Sequence, residues 1–291
     1  MAMRSGQTSE TRPAEGREPA QAPKERAERA ARVGDAFMET GLFEEAIGEY
    51  KKAAVLDGER LEWQVNLGDA YATCGYYRRA MRTYQKAIRK NPSDAEARYS
   101  LAELWARLGN FSSAIREMEL AVSLSPHRHY YVYRLHRLLK RAGLEGRALD
   151  ALRQVVRLCP DHPFYRYKLG RALLEEGRPQ AATRHLQAAT RLAPADGYYR
   201  LWLAIALFNA SRAEEAVAAA EEGAALWDEY GHVFWALANR IHNYLGQSPA
   251  SEDGDGEPEQ LSEYDAHLLQ TMQAAIRRSG RLSAQLPSGL G

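Results

Sequence analysis

The feature that most constrains this chain is a repeat of 34 residues that runs without insertion or deletion. When the sequence is shifted against itself by that interval, alanine aligns with alanine in six successive copies, and an apolar column and a glycine column keep the same register. The columns are Ala46, Ala80, Ala114, Ala148, Ala182 and Ala216; Val33, Leu67, Leu101, Leu135, Leu169 and Leu203; and Gly41, Gly75, Gly109, Gly143 and Gly177, with Ser211 in the sixth copy. A repeat of this length predicts stacked copies of one supersecondary unit.

The glycines and a following column of prolines predict two helices in each copy. Each glycine lies between two stretches with apolar residues at helical spacing, where a residue free to adopt positive φ can end one helix and let the chain reverse. A proline then stops the second helix, because it lacks an N–H and its ring clashes with the preceding turn. The prolines are Pro92, Pro126, Pro160 and Pro194. The sequence therefore predicts an all-α chain of helical hairpins.

One copy of the repeat carries a particularly specific set of residues. They are Asn66, Leu67, Gly68, Tyr71, Gly75, Ala80, Tyr84, Ala87 and Pro92. Their spacing resembles that of the tetratricopeptide repeat family. The resemblance implies a right-handed α-solenoid of tandem helix-turn-helix repeats, whose first helices line a concave groove that holds another protein. Within a solenoid predicted over 24-246, it covers units 27-60, 61-94, 95-128, 129-162, 163-196 and 197-230. The sixth unit lacks the glycine and the proline, so we expect looser geometry there.

The segments outside the six units differ from them in composition. Residues 1-23 lack the apolar stretch of a signal peptide and are predicted to be disordered. A partial seventh first helix is predicted at 231-245, an acidic flexible linker at 247-260 and a disordered tail at 281-291. Apolar residues recur at helical spacing over 261-280, and we expect this C-terminal helix to cap the last apolar face of the solenoid.

Composition and motifs exclude several classes of function. A net charge of +1 argues against a globally basic nucleic-acid binder. No apolar run is long enough for a membrane helix, and Cys74 and Cys159 fit buried thiols, so we expect a soluble cytoplasmic protein. The chain has no Gly-rich phosphate loop, no Cys-x-x-Cys and no Gly-x-Ser-x-Gly, and its histidines lack zinc-helix spacing. We therefore predict a protein that is not an enzyme, with no catalytic residue, no cofactor and no metal.

The candidate binding surface is the face of each first helix that lies opposite the packed apolar column. At 100° per residue, this face carries the second, fifth, sixth and ninth residues of a unit. In the first three units the face is mostly acidic, with Glu28, Asp35, Glu62, Asn66, Asp69, Glu96, Tyr99 and Glu103. In the fourth and fifth units it becomes basic and aromatic, and in the sixth it is aromatic and largely uncharged. The predicted partner-binding residues there are Tyr130, Tyr133, Arg134, Arg137, Phe164, Tyr167, Lys168, Arg171, Tyr198 and Trp202.

The charge pattern and the aromatic residues favour a protein or peptide partner. Residues 127–171 hold eleven Lys or Arg and three Asp or Glu, and exposed aromatic and Arg side chains are typical of binding hot spots. The leading prediction is an adaptor or scaffold whose middle groove binds an acidic, partly aromatic segment. One alternative is single-stranded nucleic acid, which the flanking acidic units disfavour. The other is a self-assembling scaffold. The acidic segment 252-265 is also predicted to be able to contact this groove intramolecularly.

Overall fold

A computed structural model of the chain describes residues 23–226 and 238–239. Residues 23–226 form twelve α-helices and no strand. These are α1 (Pro23–Glu39), α2 (Phe43–Leu56), α3 (Glu62–Thr73), α4 (Tyr77–Lys90), α5 (Ala95–Arg107), α6 (Phe111–Leu124), α7 (His129–Arg141), α8 (Glu145–Leu158), α9 (Pro163–Glu175), α10 (Pro179–Leu192), α11 (Gly197–Asn209) and α12 (Ala213–Leu226). The all-α solenoid of paired helices that the sequence predicts is confirmed.

The helices fall into two compact bodies that divide between Leu124 and Ser125. We call α1–α6 the N-terminal body and α7–α12 the C-terminal body. Among the helices that the structure describes, none combines the length and the apolar character needed to cross a membrane. The predicted seventh helix, acidic linker, capping helix and tail lie outside the described residues, apart from Ala238 and Asn239.

The turn inside every hairpin has one backbone design. The glycine after each first helix adopts a positive φ of 70° to 80°. The next residue then donates its backbone N–H to the carbonyl five residues earlier at 2.8 to 2.9 Å, as Tyr76 does to Tyr71. This arrangement satisfies carbonyls that the helix end would otherwise leave without a partner. The sequence reasoning that gave glycine this role is therefore confirmed.

The sixth hairpin corrects an expectation, because its turn is not looser than the others. Ser211 occupies the glycine position and adopts the same left-handed conformation, with φ of 66°. The N–H of Arg212 donates to the carbonyl of Leu207 at 2.9 Å, as in the other turns. The backbone hydrogen bonds of the turn thus stabilise a left-handed conformation that is sterically unfavourable for serine.

The recurring alanines, and Gly68 within α3, lie where the two helices of a hairpin approach most closely. The six alanines are at most 1% exposed. At Gly68, a Cβ atom would lie 2.3 Å from Cε1 of Tyr84, so only glycine fits against that ring. The apolar column is buried from Leu67 to Leu203, but Val33 is 40% exposed. Val33 therefore departs from the predicted packed stripe, since no described helix precedes α1 to cover it.

Candidate partner-binding site

The ten predicted site residues lie on three first helices of the C-terminal body. Helix α7 carries Tyr130, Tyr133, Arg134 and Arg137; α9 carries Phe164, Tyr167, Lys168 and Arg171; α11 carries Tyr198 and Trp202. On each helix these residues recur every three or four positions, and Arg134 and Lys168 are each adjacent to one of them. The predicted residues of a helix therefore share a face. The 34-residue register repeats this face from one first helix to the next.

Helices α7 and α9 enclose a cavity of about 310 Å³, which we call the basic cavity. Its lining residues are Tyr133, His136, Arg137, Lys140, Arg141, Lys168, Arg171, Ala172 and Glu175. Five of these side chains are cationic and one is a carboxylate. The structure thus brings together four of the predicted residues, Tyr133, Arg137, Lys168 and Arg171, in one concave site.

The single carboxylate of the basic cavity pairs with two of its cations. Lys140 Nζ lies 2.7 Å from Glu175 Oε2, and Arg171 Nε lies 3.2 Å from Glu175 Oε1. Within the described part of the chain, Arg137 and Lys168 have no carboxylate at ion-pair distance. The cavity therefore keeps an excess of positive charge after its internal ion pairs are formed.

The ionisation of the cavity side chains reflects this excess. Burial, and next the charges of Arg171, Lys140 and Arg137, lower the pKa of Lys168 below its ordinary value. Burial alone would raise the pKa of Glu175, but its bonds and charge interactions with Lys140 and Arg171 outweigh burial and lower it. Glu175 is thus ionised at neutral pH, while Lys168 lies in surroundings that disfavour its positive charge.

Aromatic rings form one wall of the site. The ring centroid of Tyr133 lies 5.6 Å from that of Phe164 and 5.3 Å from that of Tyr165. Lys168 Nζ lies 5.1 Å from the Phe164 centroid and 5.2 Å from the Tyr167 centroid. These distances fit cation–π contacts, which hold the Lys168 ammonium beside the rings.

The remaining predicted residues are placed unequally. Tyr130 is 47% exposed, with the Arg134 guanidinium 6.0 Å from its ring centroid, so this pair lies at the open edge of the face. Tyr167 and Trp202 are each only 2% exposed, which corrects the prediction that they are exposed on the groove. The Tyr167 and Tyr198 hydroxyls are hydrogen-bonded at 3.0 Å.

The buried rings instead support the basic cavity from behind. The Arg171 guanidinium lies 5.1 Å from the Trp202 ring centroid and donates to the Tyr167 hydroxyl at 3.3 Å. Helix α11 is buried on every side from Leu201 to Asn209, as expected for a helix that is apolar all round. Tyr167 and Trp202 therefore orient Arg171 and do not themselves offer an accessible surface.

Three residues of the site were not identified from the sequence. Glu175 follows Arg171 by four residues on α9, and an i,i+4 charge pair is a signal that could have found it. Lys140 pairs with Glu175 across two helices, and no local pattern reveals that contact. His136 occupies the position that other units fill with glycine or alanine, and its ring contacts Tyr133 with a centroid distance of 5.8 Å.

The acidic face predicted for the N-terminal body is largely used in internal contacts. The Tyr50 hydroxyl donates to Asp35 at 2.7 Å, and the Tyr84 hydroxyl donates to Asp69 at 2.5 Å. Glu28 pairs with Arg60 at 2.8 Å. Burial is the main cause that raises the pKa of Asp69, against hydrogen bonds from Tyr84 and Ser100 that lower it. Asp35, Asp69 and Glu28 thus take part in internal contacts, although Asp35 and Glu28 remain accessible at the surface.

Across residues 23–226 and 238–239, no three His, Cys, Asp or Glu side chains are grouped to hold a metal ion. His136 makes a different contact, in which Nδ1 and the Ala148 carbonyl oxygen are 2.8 Å apart, so Nδ1 carries the hydrogen.

Paired helices stacked in a strict 34-residue register define an all-α repeat protein. A model of the tetratricopeptide repeat family matches residues 65–129 and 167–230. Together with the fold, this match identifies tetratricopeptide repeats in these two segments of the chain. A sequence comparison with curated proteins gives no match.

Several solved structures share this fold. YrrB, described as a tetratricopeptide repeat protein with an unusual peptide-binding site, is 19% identical, with 67% of this chain and 97% of YrrB covered and a TM-score of 0.54. PilF of Pseudomonas aeruginosa is 14% identical, with 77% and 100% covered and a TM-score of 0.57. MamA from AMB-1 is 20% identical, with 60% and 94% covered and a TM-score of 0.50. At these identities the likeness is one of fold.

Proposed function

We propose that this chain is a non-catalytic scaffold and that the face of α7 and α9 binds an acidic, partly aromatic segment of another protein. Tetratricopeptide repeat proteins are in general protein-interaction scaffolds, which supports the broad class. The observation that carries the specific proposal is the pair of cations, Arg137 and Lys168, that line the basic cavity without a carboxylate partner among the described residues.

The electrostatics of the cavity favour an anionic ligand. Holding Lys168 half buried beside Arg137, Lys140 and Arg171 costs free energy, because burial and like charges both disfavour its ammonium. A carboxylate from a partner relieves both costs, since it supplies a charge-assisted hydrogen bond and an opposite charge. Because the basic cavity has excess positive charge, it binds an acidic side chain more favourably than a surface whose charges are already paired.

The aromatic wall of the site supports the proposal that the ligand is partly aromatic. Tyr130 is exposed, and Tyr133 and Phe164 are half buried beside the cations. Aromatic and Arg side chains together are typical of the residues that dominate binding energy at protein interfaces. The fold relative YrrB, described as having an unusual peptide-binding site, gives a precedent for a peptide as the class of ligand.

Single-stranded nucleic acid is the alternative that the sequence left open. A strand binder stacks bases on open aromatic faces along a basic track. Here Tyr133, Phe164 and Tyr165 pack on one another, and Tyr167 and Trp202 are buried. Apart from Tyr130, few open ring faces remain in a row for successive bases to stack on, which favours a protein segment over a nucleic acid.

The test reverses the two cations and measures binding of a defined probe. The full-length chain and its Arg137→Glu/Lys168→Glu variant are titrated into a fluorescein-labelled peptide of Glu and Tyr in a Gly-Ser frame. We expect the variant to lose about tenfold or more in affinity, because an attractive pair becomes a repulsive one. The control variant, Arg157→Glu/Arg191→Glu, makes the same charge change at exposed positions of α8 and α10 that do not line the cavity.

Two further measurements decide between the ligand classes. The same peptide with Gln in place of Glu should bind weakly to the parent chain, and a single-stranded oligonucleotide should not compete. Equal loss of affinity in the cavity and control variants would mean that net charge, and not this site, determines binding. Tighter binding of the oligonucleotide than of the acidic peptide would favour the nucleic-acid alternative.

A further inference from the structure

The carboxylate of Glu175 lies inside a cavity whose other charges are all positive. We propose that Glu175 makes the basic cavity selective for carboxylate groups over phosphate groups. This inference rests on the proposed function of the cavity, and it narrows the partner to a segment with unmodified Asp or Glu side chains or a chain-terminal carboxylate. Glu175 is then the residue that determines specificity.

The geometry divides four of the five cations of the basic cavity, all except Arg141, into two pairs. Lys140 from α7 and Arg171 from α9 both point a nitrogen at Glu175, at 2.7 and 3.2 Å. Arg171 is held further by the Tyr167 hydroxyl and the Trp202 ring. Two cations are thus committed to an internal carboxylate, and two, Arg137 and Lys168, remain for a ligand.

The two anion chemistries make different demands on this arrangement. A carboxylate carries one negative charge on two oxygens, and one Arg and one Lys provide enough donors for it. A phosphate monoester carries a charge of about −1.5 to −2 and three acceptor oxygens. Its third oxygen calls for donors from Lys140 or Arg171, which Glu175 already engages, and its extra charge faces the Glu175 carboxylate across the same cavity.

Glu175 is also well suited to remain in place when a ligand binds. Its side chain is 30% exposed, and its two cationic partners come from different helices. Its pKa is lowered, because the bonds and charges of Lys140 and Arg171 outweigh the effect of burial, so the repulsive charge is present at neutral pH. A fixed like charge is a common way to reject a wrong ligand.

The neighbouring residue provides a matched control. Glu176 follows Glu175 at the end of α9, is exposed, and lines an adjacent cavity of about 250 Å³ but not the basic cavity. Replacing either glutamate with glutamine changes the net charge of the chain by the same amount. Only the change at Glu175 releases Lys140 and Arg171 and removes a negative charge from the basic cavity.

The experiment measures the affinities of three fluorescein-labelled peptides by fluorescence anisotropy, with the full-length chain. The peptides share one Gly-Ser-Tyr frame and differ at a central residue, which is Glu, phosphoserine or Gln. The proteins are the parent, Glu175→Gln, Glu175→Ala and Glu176→Gln, with circular dichroism to confirm equal helicity. Glu175→Ala repeats the test if the glutamine variant does not fold.

We expect the parent to bind the Glu peptide better than the phosphoserine peptide. Glu175→Gln should raise affinity for phosphoserine about tenfold more than for Glu, since the lost repulsion scales with ligand charge. Glu176→Gln should leave the ratio of the two affinities unchanged. A parent chain that prefers phosphoserine, or a ratio that Glu175→Gln does not alter, overturns the inference while the proposed function stands. If the Glu peptide binds the parent no better than the Gln peptide, the proposed function fails and the inference fails with it.

Discussion

The two bodies use the same position of the same repeat for opposite purposes. The ninth residue of a unit is Asp35 or Asp69 in the N-terminal body and Arg137 or Arg171 in the C-terminal body. Each aspartate accepts a hydrogen bond from the tyrosine fifteen residues later, on the second helix of its own hairpin. In the two basic units that later residue is leucine, which needs no acceptor.

This difference teaches that the number of charges on a repeat face does not by itself indicate a binding surface. The N-terminal carboxylates satisfy tyrosine hydroxyls that burial would otherwise leave without a partner. Where leucine replaces tyrosine, the ninth residue has no hydroxyl on its own hairpin to satisfy. Arg171 instead pairs with Glu175, and Arg137 has no carboxylate partner among the described residues. Substitutions in each body can show whether these contacts stabilise the acidic body and not the basic one.

The largest effect is expected at the glycine that faces the Tyr84 ring. Gly68→Ala places a Cβ 2.3 Å from Tyr84 Cε1, so the hairpin must open, at a cost of about 1–3 kcal/mol. Gly48→Ala is the control, because Gly48 lies within α2 with nothing within 4 Å of a Cβ. The better helix propensity of alanine should stabilise that variant by about 0.5–1 kcal/mol.

Urea unfolding followed by circular dichroism measures both glycine variants. Because the chain has two bodies, unfolding midpoints are compared and a single free energy is not assumed. Equal midpoints for Gly68→Ala and the parent would show that the Tyr84 ring can move aside, and that the N-terminal hairpins are less tightly packed than the structure indicates.

A smaller effect is expected from removing one hydroxyl group. Tyr84→Phe leaves the partly buried Asp69 carboxylate without its 2.5 Å donor, at a cost of about 1–2 kcal/mol. Tyr50→Phe should cost less, because Asp35 is exposed and water can replace the lost donor. Thermal unfolding of the two variants compares them directly. A larger loss in Tyr50→Phe would contradict the assignment of Asp69 as the more structural carboxylate.

The sequence was sufficient to predict the fold because the same pattern of turn, packing and helix-ending residues recurs in successive units. Positive φ at Gly75 and close packing at Ala80 both follow from residue type and spacing. The expectation for Ser211 was wrong, since it treated the glycine as the cause of the turn. The turn is also held by backbone hydrogen bonds, which a serine can satisfy at a modest steric cost.

The candidate site was harder to predict, because helical periodicity gives the direction of a side chain but not its depth. Tyr133 and Tyr167 occupy the same position in successive units, yet Tyr133 is half buried and Tyr167 is buried. The difference comes from α11, whose Tyr198, Tyr199 and Trp202 rings lie 5.2 to 6.2 Å from Tyr167. Contacts of this kind depend on how consecutive units pack, and the sequence of one unit does not contain that information.

The smallest predicted effect concerns pH, to which the two bodies should respond in opposite directions. Residues 23–124 contain no histidine, and their partly buried Asp69 has a raised pKa, chiefly because burial disfavours its charge. The folded N-terminal body therefore holds a proton on Asp69 at pH values where the unfolded chain has lost it. Its stability falls as the pH rises through that raised pKa. Asp69→Asn should remove this dependence because asparagine does not titrate. Its amide oxygen still accepts the hydrogen bond from Tyr84, so the contact itself is retained.

In the C-terminal body the titrating group is His136. Burial lowers its pKa most, the nearby charges of Lys140 and Lys168 lower it further, and the Ala148 carbonyl and Glu145 oppose the shift. The unfolded chain then binds more protons than the folded one as the pH falls below about 6.5, the ordinary histidine pKa. The stability contributed by neutral His136 is therefore present above that pH and is lost as the pH falls toward the lowered value.

Hydrogen exchange of peptides from α3–α4 and α7–α8 resolves the two responses, once the rates are corrected for intrinsic exchange at each pH. Between about pH 7 and pH 5, protection should fall in α7–α8 and should not fall in α3–α4. His136→Asn should weaken the response of α7–α8, because the amide nitrogen still donates to the Ala148 carbonyl but does not titrate. Some dependence should remain, since burial also lowers the pKa of His185 on α10. An acid-induced loss of protection that is equal in both bodies would contradict the assignment of His136 as the group responsible.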